Sequence, residues 1–264
     1  MKIPLYQVDA FTSQVFSGNP AAVCPLTEWL ADETMQAIAM ENNLSETAFF
    51  VPRDGEAGAY DIRWFTPTLE IDLAGHPTLA TAYVIFERLR PGSTEARFHS
   101  RHGDVLEVVH EDGLIAMDFP SRPPAPNPEI GDVAAALGAN PVQVLAARDA
   151  LAVFATEAEV RALAPDMAKV AALDVLGVIA TAPGDHCDFV SRFFAPKAGI
   201  PEDPVTGAAH CTLVPHWAGR FGNSVLFARQ ISARGGELWC EHRGERVRIA
   251  GQAALYMEGA IILP

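Results

Sequence analysis

The amino-acid sequence predicts an α+β protein with two pseudo-symmetric domains. Strand-like apolar runs alternate with helix-like segments through both halves of the chain. The proline-rich segment PSRPPAPNP, residues 120–128, cannot continue a helix or a central strand, so it marks a boundary. The pattern YDIRWFTP also recurs as CDFVSRFFAP, which aligns residues 63–67 with residues 192–196. We therefore expect an N-terminal domain at 1–119, a linker at 120–128 and a C-terminal domain at 129–264, related by internal duplication.

The order of elements follows from the periodicity of each segment. In the first half we expect strands at 5–11, 21–26, 44–51 and 61–67, with helices at 32–41 and 75–90. The second of these helices is apolar nearly all round, which is typical of a helix buried within the sheet of its own domain. In the second half we expect helices at 130–137 and 157–164, a helix beginning near 207, and strands at 150–155, 175–182, 187–196, 225–231, 237–241, 247–250 and 254–263. The last strand is expected to cross back to the first domain.

Composition excludes several classes of function. The chain carries 33 acidic and 19 basic residues, a net charge of −14, and no basic run of the kind that nucleic-acid binding needs. No apolar stretch reaches the ~18 residues of a membrane span, and MKIPLYQVDAF lacks the pattern of a signal peptide. We expect a cytoplasmic protein that binds neither nucleic acid nor membrane.

Cysteine spacing and short motifs give no indication of a metal or cofactor. The four cysteines lie far apart without a CxxC pair, so we expect free thiols in a reducing compartment. Neither His76 nor His210 has a partner at zinc-binding spacing, and both His210 and His216 are expected in the core or on the surface of their helix. No GxGxxG, phosphate-binding loop or GxSxG elbow is present. We expect no cofactor and no metal.

Glu46 is the strongest candidate for a catalytic residue. Strand alternation in LSETAFFV places it on one face with Leu44, Ala48 and Phe50, in the middle of an apolar surface. Burying an ionised carboxylate without partners is costly, so such a group has a specific role. A glutamate in these surroundings suits a general base for a weakly acidic C–H bond. The alternative is a structural glutamate that pairs with Arg63 or another strand residue.

Two small-residue helix starts follow the duplicated strands. Gly75 and Gly207 each open a helix, and the unpaired N–H groups of such an end attract anions. Two of these ends facing each other across a domain cleft could hold a small carboxylate ligand, with Asp203 at one lip. His76 and Asp203 could instead be capping or turn residues, and the sequence leaves both interpretations open.

Four ordered motifs together resemble the phenazine-biosynthesis isomerase (PhzF-like) family. They are VDAFTSQVFSGNPAAVCPL, ENNLSETAFF, RWFTPTLEIDLAGHPTLATA and EDPVTGAAHC, and the similarity runs nearly the whole chain. The resemblance implies the diaminopimelate epimerase-like fold, in which each domain wraps a curved, mostly antiparallel sheet around a central helix. It also implies a homodimer with an interdomain active site and cofactor-independent proton transfer on a dihydro-hydroxyanthranilate-like carboxylate.

The same resemblance implies roles for individual residues. Glu46 would be the general acid/base, and His76 and Asp203 would bind or polarise the substrate. The expected substrate-binding residues are Asn19, Ser45, Gly75, Gly207 and Ala208. The related epimerases use two cysteines at positions that correspond here to Gly75 and Asp203, so two-thiol chemistry is disfavoured.

One departure from the family pattern bears on the substrate. The family commonly reads TGSAH where this chain reads TGAAH, so Ala208 removes a hydroxyl that could donate to the substrate. Two alternatives to the isomerase therefore stay open. One is an amino-acid racemase or epimerase that uses Glu46 and Asp203, and the other is a non-catalytic small-molecule-binding protein.

Overall fold

The structure is a computed structural model that describes residues 1–101, 103 and 105–263, apart from the side chain of Pro128. The chain divides into two compact units. One comprises Met1–Asp118 with Ala250–Pro264, and the other comprises Phe119–Ile249. The predicted boundary segment 120–128 lies at the start of the second unit, whereas the chain from Ala250 on, which the predicted domain 129–264 includes, belongs to the first unit.

Seventeen strands are present among the described residues. They are β1 (Lys2–Ala10), β2 (Asn19–Pro25), β3 (Glu46–Pro52), β4 (Ala59–Phe65), β5 (Glu70–Ile71), β6 (Glu95–Ser100), β7 (Val105–Glu111), β8 (Leu114–Pro120), β9 (Gln143–Ala146), β10 (Ala150–Val153), β11 (Val178–Pro183), β12 (Phe189–Ala195), β13 (Ile200–Asp203), β14 (Val225–Gln230), β15 (Gly236–Arg243), β16 (Arg246–Gly251) and β17 (Ala253–Ile262).

The helices are fewer. They are α1 (Asp32–Asn42), α2 (Gly75–Val84), α3 (Val133–Leu137), α4 (Glu157–Arg161), α5 (Met167–Ala172) and α6 (Gly207–Phe221). Helix α2 continues into a π-helical turn, Ile85–Leu89, and short 3₁₀ turns lie at Pro128–Ile130 and Pro196–Ala198. Within the described range, none of these helices has both the length and the apolar character needed to cross a membrane.

The sheet of the first unit is mostly antiparallel. Strand β1 lies between β2 and β17, and its pairing with β17 runs from Lys2↔Ile262 to Ala10↔Ala253 with an irregularity after Gln7. Strand β2 is parallel to β3, β3 is antiparallel to β4, and β4 pairs with both β5 and the parallel strand β6. Antiparallel pairs β6–β7 and β7–β8 follow. The C-terminal strand thus pairs with the first strand of the chain.

The second unit repeats this order of strands. Strand β10 is parallel to β11, β11 is antiparallel to β12, and β12 pairs with β13 and with the parallel strand β14. An antiparallel β14–β15 pair follows, as β7 follows β6 in the first unit. Strand β9 adds an antiparallel neighbour to β10. The repeated strand order confirms the predicted α+β class with two pseudo-symmetric halves.

A buried helix follows the repeated strands in each unit. In α2 every residue except Tyr83 is buried. The Thr78 and Thr81 hydroxyls donate to the carbonyls of Ala74 and Pro77, at 2.6 and 2.7 Å, so these buried hydroxyls are satisfied inside the helix. Helix α6 begins after Thr206 and ends at Gly222, whose φ of 66° is the left-handed conformation common after helices. The all-round apolar character that predicted burial is therefore confirmed for α2.

Several predicted boundaries need correction. The helix expected at 130–137 is a 3₁₀ turn followed by α3, because the Asp132 side chain accepts from the Ala135 N–H and restarts the chain as a helix at Val133. The helix expected at 157–164 ends at Arg161. Strand β8 continues to Pro120, and Ala125 forms an isolated bridge with Ala146, so the expected linker is partly bound to neighbouring strands.

Candidate active site

Glu46 is the first residue of β3 and is buried, with 8% of its surface exposed. It pairs in register with Ala21 of the parallel strand β2. Glu46 was expected in the middle of a strand face, but Leu44 lies outside β3 and Glu46 opens the strand; all residues from Glu46 to Val51 are buried, so both faces of β3 are covered. The carboxylate is still placed in an apolar strand, but burial is not restricted to its own face.

Arg63 is not the partner of Glu46. Its guanidinium donates two hydrogen bonds to Glu70, both at 2.7 Å, and a third to Asp32 at 2.8 Å. These carboxylates raise the pKa of Arg63 further above its already high value. The part of the structural alternative that pairs Glu46 with Arg63 is therefore wrong.

The polar neighbour of Glu46 is His76. Glu46 Oε2 lies 3.1 Å from His76 Nε2. The two atoms are within hydrogen-bond distance but are not aligned as a hydrogen bond, and among the described residues this buried oxygen receives no directed hydrogen bond. Buried carboxylate oxygens are normally hydrogen-bonded, so this exception calls for a physical explanation.

His76 is the second residue of α2, where the chain enters the helix from extended Ala74. Its ring Nδ1 lies 3.2 Å from Nδ2 of Asn19, the fully buried first residue of β2. Ser45 in turn donates to Asn19 Oδ1 at 3.5 Å. Since its ring contacts Asn19 and Glu46, His76 does more than cap the helix. We call Ser45, Asn19, His76 and Glu46 the Glu46 cluster.

Asp203 lies in the second unit at the end of β13 and is buried, with 8% exposed. Its Oδ2 accepts a short hydrogen bond of 2.5 Å from Thr206 Oγ1. Gln230 accepts from the Thr206 N–H at 2.9 Å and donates to the Asp203 carbonyl at 2.8 Å. We call Asp203, Thr206 and Gln230 the Asp203 cluster.

Sequence reasoning missed Thr206 and Gln230. Gln230 is 1% exposed at the end of β14, and a buried amide in a strand of the sequence VLFARQ was the available signal. It holds the turn between β13 and α6 by bonding to the backbone on both sides of Pro204 and Val205. The orientation of Asp203 therefore depends on a side chain distant in sequence.

The two helix starts have the predicted character. Gly75 begins α2 after Ala74, and Gly207 begins α6 after Thr206; neither preceding side chain makes a capping hydrogen bond in the described structure. Uncapped N–H groups and the helix dipole favour a bound anion. Gly207 is buried and Ala208 is half-buried in the first turn of α6. His210 and His216 follow on α6, the first fully buried and the second half-buried.

The cysteine thiols are free and unsuited to acid–base work near neutral pH. Cys24, Cys211 and Cys240 are buried, and Cys187 is half-buried. Burial raises the pKa of Cys24 to about 12 and that of Cys211 to about 11. A thiol acts as a base or nucleophile in its ionised form. The carboxylates and imidazole of the two clusters are better suited to proton transfer.

Comparison with known proteins gives full-length matches. The family profile described as "Phenazine biosynthesis-like protein" (PhzC-PhzF) matches residues 8–259. An uncharacterized isomerase of Pseudomonas aeruginosa is 53% identical over 264 residues, which cover 100% of both chains. The crystal structure of a PhzF-family protein from Enterococcus faecalis is 46% identical, with a TM-score of 0.95 over 100% of both chains.

More distant structural similarity concerns the fold alone. A hydroxyproline epimerase from Agrobacterium vitis has a TM-score of 0.63 at 9% identity, covering 98% of this chain and 92% of the other. This likeness fits the epimerase-like fold implied by the sequence motifs. The full-length bacterial relatives are named isomerases, and the chain is an isomerase. By its matched profile and its relatives, the chain belongs to the phenazine biosynthesis-like (PhzC-PhzF) family.

Proposed function

We propose that this protein is a cofactor-independent isomerase that moves a proton between two carbons of a small carboxylated metabolite, with Glu46 as the general acid/base. The observation that carries the proposal is the buried Glu46 Oε2, which lies 3.1 Å from His76 Nε2 yet takes no directed hydrogen bond within the described chain. This oxygen is therefore able to accept a proton from a C–H bond of the substrate. Only 8% of Glu46 is exposed, which limits the access of water that would compete for the proton.

The chemistry balances without an added oxidant or reductant. The Glu46 carboxylate removes a proton from one substrate carbon, and the electron pair of that C–H bond moves into the adjoining π system. The protonated Glu46 then returns the proton to a second carbon, so that a double bond changes position and the formula does not change. A base and a polarising group suffice for this reaction.

The remaining predicted residues bind and orient the substrate in this proposal. The uncapped N–H groups at Gly75, Gly207 and Ala208 favour a substrate carboxylate. His76 and Asp203 polarise the substrate. Asn19, at the start of β2, and Ser45, in the turn before β3, support the site. The ordered support of Asp203 by Thr206 and Gln230 fits a group that must keep one orientation.

The substrate is proposed to be a dihydro-hydroxyanthranilate-like carboxylate. Ala208 carries no hydroxyl, so the first turn of α6 offers the substrate backbone N–H groups alone at this position. Losing one such donor changes which substrates are discriminated. A carboxylated ring or amino-acid-like metabolite other than the phenazine precursor is therefore part of the same proposal. The homodimer and the cytoplasmic location implied by the resemblance stay predictions.

Proton exchange in D₂O tests the proposal. Dihydro-hydroxyanthranilate and a panel of α-amino and hydroxy acids are incubated with the protein, and deuterium incorporation is followed by NMR. We expect incorporation at carbon in one compound, with a shifted double bond seen in the ultraviolet spectrum. Glu46→Gln keeps the side-chain shape but removes the base, and we expect a loss of about 10²-fold or more in the exchange rate.

Controls separate the alternatives. Asn42→Asp changes an amide elsewhere in the first unit, one that donates to Thr47, and should leave exchange intact. Exchange that persists in Glu46→Gln would move the assignment of the base to Asp203. Exchange with loss of optical rotation but no spectral shift would indicate a racemase. A ligand that raises the melting temperature without any exchange would indicate a binding protein.

A further inference from the structure

The Glu46 cluster contains a histidine contacted at both ring nitrogens. Asn19 Nδ2 lies 3.2 Å from His76 Nδ1, and Glu46 Oε2 lies 3.1 Å from His76 Nε2. Asn19 is 0% exposed and His76 is 6% exposed. In such a buried site the neighbours, rather than water, decide where the ring carries its proton.

We infer that Asn19 is a positioning residue that fixes neutral His76 in the tautomer with the proton on Nε2. An amide nitrogen carries only donors, so the Asn19 N–H requires a lone pair on His76 Nδ1. A neutral imidazole with a lone pair on Nδ1 carries its single proton on Nε2. Ser45 Oγ donates to Asn19 Oδ1 at 3.5 Å, which fits an amide whose oxygen faces away from the ring.

This tautomer determines what His76 can do for Glu46. The protonated Nε2 lies 3.1 Å from Glu46 Oε2, so the positive end of the N–H dipole attracts this oxygen even though the two are not aligned as a hydrogen bond. His76 cannot take the proton that Glu46 carries, because Nε2 already holds one. Protonation at Nδ1 is also opposed, since a second N–H would face the Asn19 amide hydrogens. The proton taken from a substrate would therefore stay on Glu46 until it is returned.

The catalytic consequence rests on the proposed function, but the tautomer does not. If Glu46 is the base, His76 keeps the Glu46 carboxylate in position to accept the substrate proton. Asn19 then influences Glu46 only through His76. If another group is the base, the hydrogen-bond argument for Nε2–H is unchanged. The experiment can therefore measure the two separately.

Long-range ¹H–¹⁵N correlation spectra of ¹⁵N-histidine-labelled protein test the tautomer directly. The chain has 8 histidines, and His76→Gln identifies the His76 signals by their disappearance. In the wild-type protein we expect a protonated, pyrrole-type nitrogen at Nε2 and an unprotonated, pyridine-type nitrogen at Nδ1. The opposite pattern, or two protonated nitrogens at neutral pH, would overturn the inference.

Asn19→Asp is the matched variant, because it keeps the side-chain shape and replaces the donor by an acceptor. We expect the His76 ring to gain a proton at Nδ1, and Asn42→Asp to leave the His76 spectrum as in the wild type. An unchanged His76 spectrum in folded Asn19→Asp would also overturn the inference. If Asn19→Asp does not fold, the wild-type spectrum alone still decides the tautomer.

Exchange kinetics then connect the tautomer to catalysis. In Asn19→Asp we expect kcat for proton exchange to fall about 10²-fold with little change in KM, since the substrate contacts remain. A raised KM at unchanged kcat would instead identify Asn19 as a substrate-binding residue only. Exchange that survives in Glu46→Gln, together with an Nε2–H tautomer, would contradict the proposed function while leaving this inference standing.

Discussion

At the scale of single residues, the sequence located Glu46 for a reason that the structure only partly supports. Strand alternation placed Glu46 on one apolar face, and β3 contacts both α1 and α2, so the opposite face is covered as well. Phe49 and Val51, on the face opposite Glu46, join a core cluster with Met35 and Ile38 of α1. Period-two reasoning identifies which residues share a face, but it cannot show that the second face is also covered by a helix.

His210 permits a residue-scale prediction about pH. The ring is fully buried in α6, where its Nδ1 lies 2.9 Å from the Thr206 carbonyl, and burial lowers its pKa from 6.5 to about 4. Between these values the unfolded chain binds a proton that the folded protein does not. Stability is therefore unaffected above pH 6.5 and falls as pH decreases towards 4. At pH 5 we expect this histidine alone to cost about 2 kcal/mol of unfolding free energy.

Urea unfolding at pH 7.5 and pH 5 measures this dependence. His210→Asn places an amide nitrogen where it can still donate to Thr206 and does not titrate, so the loss between the two pH values should shrink. His186→Asn is the matched control, because His186 is exposed in a turn of the same unit. Equal pH dependence in wild type and in His210→Asn would show that other groups, such as His216, account for the loss.

At the scale of elements, the duplication that the sequence indicated has a structural reason. Arg192 makes the same paired hydrogen bonds to Glu202 that Arg63 makes to Glu70, at 2.7 and 2.8 Å. Each arginine joins a long strand to the short strand that leads into a buried helix. The alignment of Arg63 with Arg192 was predicted, but the glutamates were not, because the register after the repeated prolines was uncertain.

The Arg192–Glu202 pair yields the element-scale prediction. Arg192 is 13% exposed and also donates to the Leu163 carbonyl at 2.8 Å, so one guanidinium joins β12, β13 and the chain after α4. Arg192→Lys keeps the charge but cannot make the paired geometry. We expect it to lower the free energy of unfolding by about 1–3 kcal/mol and to reduce kcat, because Asp203 follows Glu202 directly.

The same substitution at an exposed pair is the control. Arg229 and Glu237 pair across β14 and β15 with about two-fifths of each side chain exposed. Exposed pairs contribute little, so Arg229→Lys should change stability by about 0.5 kcal/mol or less. Similar losses of unfolding free energy for both variants, measured by urea unfolding, would mean that burial and paired geometry at Arg192 add nothing to stability.

Other elements escaped sequence reasoning for identifiable causes. In β6, EARFHS, only two residues are apolar, and in β7, VLEVVHE, Val105 and Val109 interrupt the alternation of apolar and charged residues. Helix α5 has only 6 residues, too few to show a helical period, and depends on the Asp166 side chain accepting from Ala168 and Lys169. Long apolar elements were predictable, while short or half-exposed ones depend on tertiary contacts.

At the scale of the whole molecule, the first unit contains both the first strand, β1, and the last strand, β17. Residues Met1–Asp118 and Ala250–Pro264 belong together, so the second unit is inserted into the first. The proline-rich segment 120–128 lies at the start of the second unit, which begins at Phe119. The sequence could not show which strand β17 pairs with. Its partner β1 lies about 250 residues earlier, and no local pattern encodes a pairing over that distance.

This insertion predicts which pieces of the chain fold alone. Residues 1–118 by themselves lack β17, so β1 loses one of its two neighbouring strands from Lys2 to Ala10 and keeps only β2. Residues 1–118 joined to 250–263 by a short glycine–serine linker restore that pairing and the sheet around α2. We expect the joined chain to unfold cooperatively on heating and residues 1–118 to lack a cooperative transition, both followed by far-ultraviolet circular dichroism. Replacing 250–263 in the joined chain by a glycine–serine segment of equal length controls for length. A cooperative transition in that control, or in 1–118 alone, would show that β17 is dispensable and that the first unit is complete before the chain leaves it.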